Sequence, residues 1–199
     1  MTKNEFLQRF HHIRYVRLEA DFPFHATNRS AAVLVPLIDY PQGLQVLLTQ
    51  RAKHLRHHPG EISFPGGGEE KHDASLIETA LRETEEEVGI NREHVHVVGA
   101  LPAYRTISGF SMTPVIGLVK PGLALTLDKN EVESAFEVPL SFLMDKRNHL
   151  VHYPSHRQHP HPIFFMPWQD KMIWGATAAI IRNLSHHLAN PSASAYLRD

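Results

Sequence analysis

Residues 60–90 read GEISFPGGGEEKHDASLIETALRETEEEVGI, and how this stretch folds decides what the rest of the chain can be. It holds five glycines and eight glutamates, five of the latter between Glu78 and Glu87. Leu76, Ile77, Ala80, Leu81, Thr84 and Val88 recur at helical spacing. Asp73 or Ser75 can cap the start, and Gly89 stands where a helix ends on glycine. On that helix Glu83, Glu86 and Glu87 share one face. Like charges one turn apart weaken an isolated helix, so the spacing calls for a positive partner. Arg82, four residues before Glu86, is one candidate. A divalent metal is another, because oxygen ligands without sulfur suit hard cations such as Mg2+ or Mn2+. The glycine turn lets backbone carbonyls approach the same face. Taken alone, such a charge run reads as a solvated acidic surface.

On either side the chain alternates strand and helix patterns. AAVLVPLI (31–38) and LQVLLTQ (44–50) are apolar and rich in Val and Leu, and Tyr40-Pro41-Gln42-Gly43 between them predicts a hairpin. Residues 51–72 read as a long loop, first basic and then rich in Gly and Pro. Strands are expected at 94–104, 111–119 and 131–138, with a short helix at LSFLMD and a hairpin from 149–153 and 162–167. Phe6, Phe10 and Ile13 predict an N-terminal helix over 3–18, and IWGATAAIIRNLSHHLA (173–189) predicts a C-terminal one in which Trp174 and Ile180 are core candidates. The expected organisation is a helix and lead-in over 1–29, a main domain over 30–189 and a loose tail over 190–199. Strands before, between and after helices give an α/β class, a mixed β-sheet sandwiched by helices.

Composition bounds the function. Of 199 residues, 42% are hydrophobic, enough for a core. Twenty basic residues oppose twenty-one acidic ones, which argues against a general nucleic-acid or membrane-surface binder. The absence of cysteine excludes disulfides, thiolate zinc sites and cysteine nucleophiles. The N-terminus lacks a continuous apolar run, and the default compartment is the cytoplasm. Sixteen histidines include a cluster in HLVHYPSHRQHPHP (149–162), where interrupting prolines and bulky residues favour a solvated loop over a metal tract. Oligomeric state is open, with a homodimer as one alternative.

Arg82-Glu83-Thr84-Glu85-Glu86-Glu87-Val88-Gly89-Ile90, with Phe64-Pro65-Gly66-Gly67 before it, resembles the Nudix box. That family binds divalent metals through such glutamates and hydrolyses a nucleoside diphosphate linked to another group. Its fold is a mixed β-sheet between helices. LLTQRAKHLRHHPGEISFPGG (47–67) further resembles the signature of the coenzyme A pyrophosphatase subfamily: LLTxR, Ser or Ala, three residues, Arg, three residues, Gly, three residues, FPGG. Segments 109–117, 130–140 and 173–184 are similar to that subfamily as well, so the resemblance spans roughly residues 30–185.

The resemblance implies coenzyme A or an acyl-CoA as substrate, with 3′,5′-ADP and 4′-phosphopantetheine, or its acyl form, as products. It implies Glu86 and Glu87 as ligands of Mg2+ or Mn2+, helped by Glu83 and the carbonyl of Gly67. Arg82 orients the glutamates. Glu83 is the favoured general base and Glu131 the runner-up. Arg51 and Arg56 hold substrate phosphates, Gly60 belongs to the same substrate-binding signature, and His57 and His58 can bring positive charge to the diphosphate. Two departures stand out. The loop after Gly67 carries one extra residue, so the first acidic position of the box falls ambiguously near Asp73 and Ala74, and Thr84 replaces an aliphatic residue. Two rivals share the fold: an isoprenoid-diphosphate isomerase, which would need a cysteine, and a non-catalytic ligand sensor, which the retained glutamates disfavour.

Overall fold

The computed structural model describes residues 1–12, 29–154 and 161–189. The strands, in chain order, are β1 (Arg29–Tyr40), β2 (Gly43–Arg51), β3 (Ile62–Ser63), β4 (Gly66–Gly68), β5 (Val95–Ala100), β6 (Tyr104–Arg105), β7 (Phe110–Val119), β8 (Val132–Pro139), β9 (Leu150–His152), β10 (Ile163–Trp168) and β11 (Lys171–Trp174). The helices are α1 (Lys3–Phe10), α2 (Leu76–Val88), α3 (Leu140–Met144) and α4 (Gly175–Leu188).

β1 organises the molecule. Along one edge it runs parallel to β7 from Arg29↔Phe110 to Ile38↔Val119. Along the other it is antiparallel to β4 through residues 31–33 and to β2 through residues 37–40. The main sheet is therefore mixed, ordered β3-β2-β1-β7-β5, with β8 on β2 and β6 on β7. Side chains alternate across β1. Ala32 and Leu34 pack with Ala80 and Leu81 of α2. Val33, Val35 and Leu37 face the opposite layer, where α4 contributes Ile180, Ile181, Leu184 and Leu188. Burial on both faces explains why 31–38 reads as an unbroken apolar run. The expected α/β sandwich of helices around a mixed sheet is the observed fold.

Several boundaries differ from expectation. The N-terminal helix stops at Phe10 rather than reaching 18: Phe6 and Phe10 are buried, whereas His11 and His12 are exposed and leave nothing to bury. Ile13 and residues 190–199 lie outside the described residues. The 51–72 loop contains two short strands, because its backbone finds partners in Thr49↔Ser63 and in Gly66–Gly68 against β1. The expected strand 94–104 is split into β5 and β6. The hairpin of β9 with β10 forms as read, but β10 also pairs with β11, which occupies residues assigned to the last helix. Gly175, at φ 63, follows that strand directly and is the first residue of α4. Alternation then sends Ile173 inward and Trp174 outward, where it is 39% exposed and stacks on Phe165 at 6.2 Å. Ile180 is core as expected, and Trp174 is not.

Candidate active site

The crowded glutamates of α2 are sorted by arginines. Ser75 caps the helix, its Oγ accepting from the Glu78 N–H, and Gly89 ends it at φ 74. Glu78 and Glu85 turn toward Arg92, at 2.6 and 3.7 Å. Arg82 Nη1 donates to Glu83 at 2.9 Å and to Glu86 at 3.1 Å. Arg82 is itself gripped by Asp73, which accepts from Nε and Nη2 at 3.0 Å each and also from the Glu70 N–H and the Thr79 hydroxyl. The guanidinium holds the Asp73 carboxyl well below the usual carboxylate range. Asp73 thus takes the first acidic position that the extra loop residue had obscured, and Ala74 has no part in it. Thr84 fits its aliphatic position because its buried hydroxyl donates to the Ala80 carbonyl at 2.6 Å.

Among the described residues, no arginine pairs with Glu87. It is 4% exposed, and its Oε2 has no hydrogen-bond partner among those residues. Burial pushes its carboxyl up to about 8, the negative charges of Glu131 and Glu83 add to this, and Arg51 and the Gly66 N–H pull the other way. Glu83 is also raised, first by burial and then by Glu86 and Glu131, against the pull of Arg82. Glu131, exposed just before β8, is therefore brought within electrostatic reach of both buried glutamates, as is Arg51 of Glu87. As placed, Glu83 and Glu86 are drawn to Arg82, and no group of three or more His, Asp or Glu among the described residues converges on one point. Gly67 is pressed against this cluster: a Cβ there would lie 2.5 Å from the Glu83 carboxylate carbon. An orphaned buried carboxylate oxygen, an all-oxygen donor set and a glycine cradle fit a hard divalent cation.

Beside the cradle opens a cavity of about 740 Å³. Arg51 supplies a cation to one side, beside the imidazoles of His57 and His58 and the Glu61 carboxylate, and Gly66–Gly68 supply the floor, while Tyr104, Met112, Phe164 and Ile180 make an apolar wall. At the end nearest the start of β1, the Arg29 guanidinium lies 3.9 Å above the Phe110 ring, and both line the cavity. Arg56 is exposed and outside this lining, and Gly60, at φ 73, lines a neighbouring cleft of about 620 Å³. Phe64 is buried and lines the cavity, and the Pro65 carbonyl accepts from the Leu34 N–H. The Arg29–Phe110 pair and the wall from β10 and α4 escape sequence reading, since only the parallel register of β1 and β7 and the packing of α4 bring them here. Asp73 had a visible signal, an acid nine residues before Arg82.

The histidine cluster divides. His149 is buried, with Nε2 2.7 Å from the Leu143 carbonyl, and burial lowers its pKa. His161 lines the cavity, and residues 155–160 lie outside the described residues. No helix among the described residues is long and apolar enough to cross a membrane.

Comparison with known proteins agrees with this geometry. The NUDIX domain family model matches residues 28–158. A protein named Uncharacterized Nudix hydrolase NudL from Enterobacter sp. (strain 638) is 41% identical over 186 residues, covering 93% of this chain and 94% of its own. Its namesake from Yersinia pestis (strain Pestoides F) is 43% identical over 170 residues, covering 83% of each chain. Among solved structures, DR0079 from Deinococcus radiodurans superposes with a TM-score of 0.51 at 12% identity, over 83% of this chain and 88% of its own, a likeness of fold alone. With a family match over residues 28–158 and relatives 41–43% identical over most of the chain, the chain belongs to the Nudix hydrolases.

Proposed function

We propose that this Nudix hydrolase cleaves the diphosphate of coenzyme A or an acyl-CoA, giving 3′,5′-ADP and 4′-phosphopantetheine or its acyl form. The observation that carries the reading is the two-sided cavity: a glycine-floored side carrying Arg51 for a diphosphate, continuous with an apolar wall for a long, weakly polar arm. The signature over 47–67 supports it.

In this reading Glu83, Glu86, Glu87 and the carbonyl of Gly67 hold Mg2+ or Mn2+. Bound there, the ion neutralises diphosphate charge and lowers the pKa of an attacking water. Arg82 keeps Glu83 and Glu86 in place, and Asp73 keeps Arg82. Glu83 takes the water's proton, and Glu131 is second in line. Arg51 binds the diphosphate with its planar fork. Arg56, at the exposed rim of the same loop, meets the 3′-phosphate, and Gly60 turns that loop. The enzyme works in the cytoplasm on a small molecule, alone or as a homodimer.

The test is turnover with Mg2+ over a panel of coenzyme A, acyl-CoAs, ADP-ribose, NADH and a diadenosine polyphosphate, with products identified by mass spectrometry. The expected result is 3′,5′-ADP from the CoA species at the highest kcat/KM of the panel. Preference for ADP-ribose or another dinucleotide, or release of dephospho-CoA with inorganic phosphate, overturns it. Glu86→Gln should cost at least roughly a hundredfold in kcat with the fold intact, since a carboxylate is lost from the metal's ligands. Near-normal turnover at saturating Mg2+ would remove Glu86 from that set.

A further inference from the structure

His58-Pro59-Gly60-Glu61 forms a β-turn between β2 and β3. The Glu61 N–H donates to the His58 carbonyl at 3.3 Å, and Gly60 follows Pro59 at φ 73. Pro second and a left-handed Gly third is the type II arrangement. The turn sets its first and last side chains next to each other, and His58 Nδ1 lies 3.0 Å from Glu61 Oε2. It does not account for the backbone of His58 itself, which sits at φ 55, because a turn of this type constrains only its two central residues. Among the described residues one other non-glycine has positive φ: Gln169, at 53. It occupies the first central position of the two-residue β10–β11 hairpin, where primed turns call for that conformation. His58 lacks such a reason, and left-handed residues of this kind gather at functional sites.

Both members of the pair line the 740 Å³ cavity. They share it with the charged or titratable side chains of Arg29, Arg51, His57 and His161, and with Gly67, which abuts the Glu83 carboxylate. We propose that His58 and Glu61 form a phosphate-contacting dyad of the active site, in which Nε2 of His58 contacts a phosphate oxygen of the diphosphate substrate and Glu61 is the positioning residue. With Nδ1–H donating to Glu61, Nε2 is the nitrogen left for substrate. As an imidazolium it donates to an anionic oxygen while Glu61 balances its charge. A carboxylate behind an imidazole fixes both tautomer and ring direction. The dyad rests on the diphosphatase reading above and adds a contact made by the turn rather than by the glutamate helix.

His58→Gly tests it. Glycine accepts φ 55 without strain, so the melting temperature should hold or rise while kcat/KM falls at least tenfold. Added imidazole should restore part of that loss. Glu61→Gln should lower kcat/KM in the wild type, and should cost nothing more in the His58→Gly background, since the two side chains act as a unit. If the pair only staples the turn, His58→Gly lowers the melting temperature, leaves kcat/KM within twofold and ignores imidazole. That result, or full additivity of the two substitutions, overturns the dyad. The wild-type panel is run first. If it selects another nucleoside diphosphate derivative, the coenzyme A reading fails by itself, and the same variants on that substrate still decide the dyad.

Discussion

At the scale of the residue, Glu87 is the most informative side chain in the molecule. Five glutamates crowd one helix, yet four of them reach an arginine and are at least partly exposed. Glu87 is inside, and its Oε2 is unpartnered among the described residues. Its carboxyl is held up at about 8 against an ordinary 4.5. The folded chain thus keeps a proton that the unfolded chain releases. The stability this contributes is present in full below the unfolded value and is lost as pH rises through the folded one. In EDTA, the melting temperature of the wild type should therefore fall between about pH 5 and about pH 8.5. It should fall by more than that of Glu87→Gln, and the stability lost over that range should be greater in the wild type by on the order of a few kcal/mol. Millimolar Mg2+ should close the gap by favouring the ionised carboxylate. Parallel melting curves for the two proteins in EDTA would show that another group titrates.

At the scale of the element, β4 is three glycines long because two of them are squeezed from different sides. A Cβ on Gly66 would collide with the Ala32 carbonyl and the Val33 Cα of β1, at a backbone φ of 154 that disfavours other residues. The atoms nearest a Cβ on Gly67 would all belong to the Glu83 carboxylate. The two alanine substitutions should therefore separate folding from chemistry. Gly66→Ala should destabilise by about 3 kcal/mol or more, as clashes with fixed backbone do, and denaturant melts will read this directly. Gly67→Ala should melt close to wild type but lose roughly a hundredfold in kcat, the cost of displacing a working group by about an ångström. Equal stability losses at the two positions would mean that the Gly67 side of β4 is structural only. The same crowding explains why the glycine run could be read from the sequence as a close approach to the glutamate helix. Which glycine serves which neighbour could not, because that depends on the antiparallel register Ala32↔Gly67.

At the scale of the whole molecule, the family match ends at residue 158 but the core does not. Ala178, Ile180, Ile181, Leu184 and Leu188 of α4 are buried in the layer that covers Val33, Val35 and Leu37 of β1. Burying one Leu or Ile contributes about 1.5–3 kcal/mol, so α4 alone rivals the net stability of a typical domain, about 5–15 kcal/mol. A chain ending at residue 158 should bind a hydrophobic dye and melt without a cooperative transition, as far-UV and near-UV circular dichroism will show. A sharp two-state melt for that fragment would place the essential core on the α2 face instead.

What the sequence determined by itself is whatever depends on local spacing. The glutamate helix with its cap and stop, the apolar strand at 31–38, the glycine turn and the α/β class all follow from local apolar runs and periodicities and from the conformations only glycine adopts. Asp73 was half legible, as an acid displaced by one residue that only its hold on Arg82 could assign. Tertiary structure decided the rest. Trp174 reads as helix core yet ends a strand on the outward face, since β11 pairs with a partner the local pattern does not announce. Glu87 is the same residue type on the same helix as Glu86, and only tertiary packing strips its water and brings Glu131 near, which together raise its pKa. The 740 Å³ cavity is assembled from β1, β4, β7, β10 and α4, far apart in sequence, because side-chain packing and strand register, unlike helix and turn propensity, are set by contacts between distant residues.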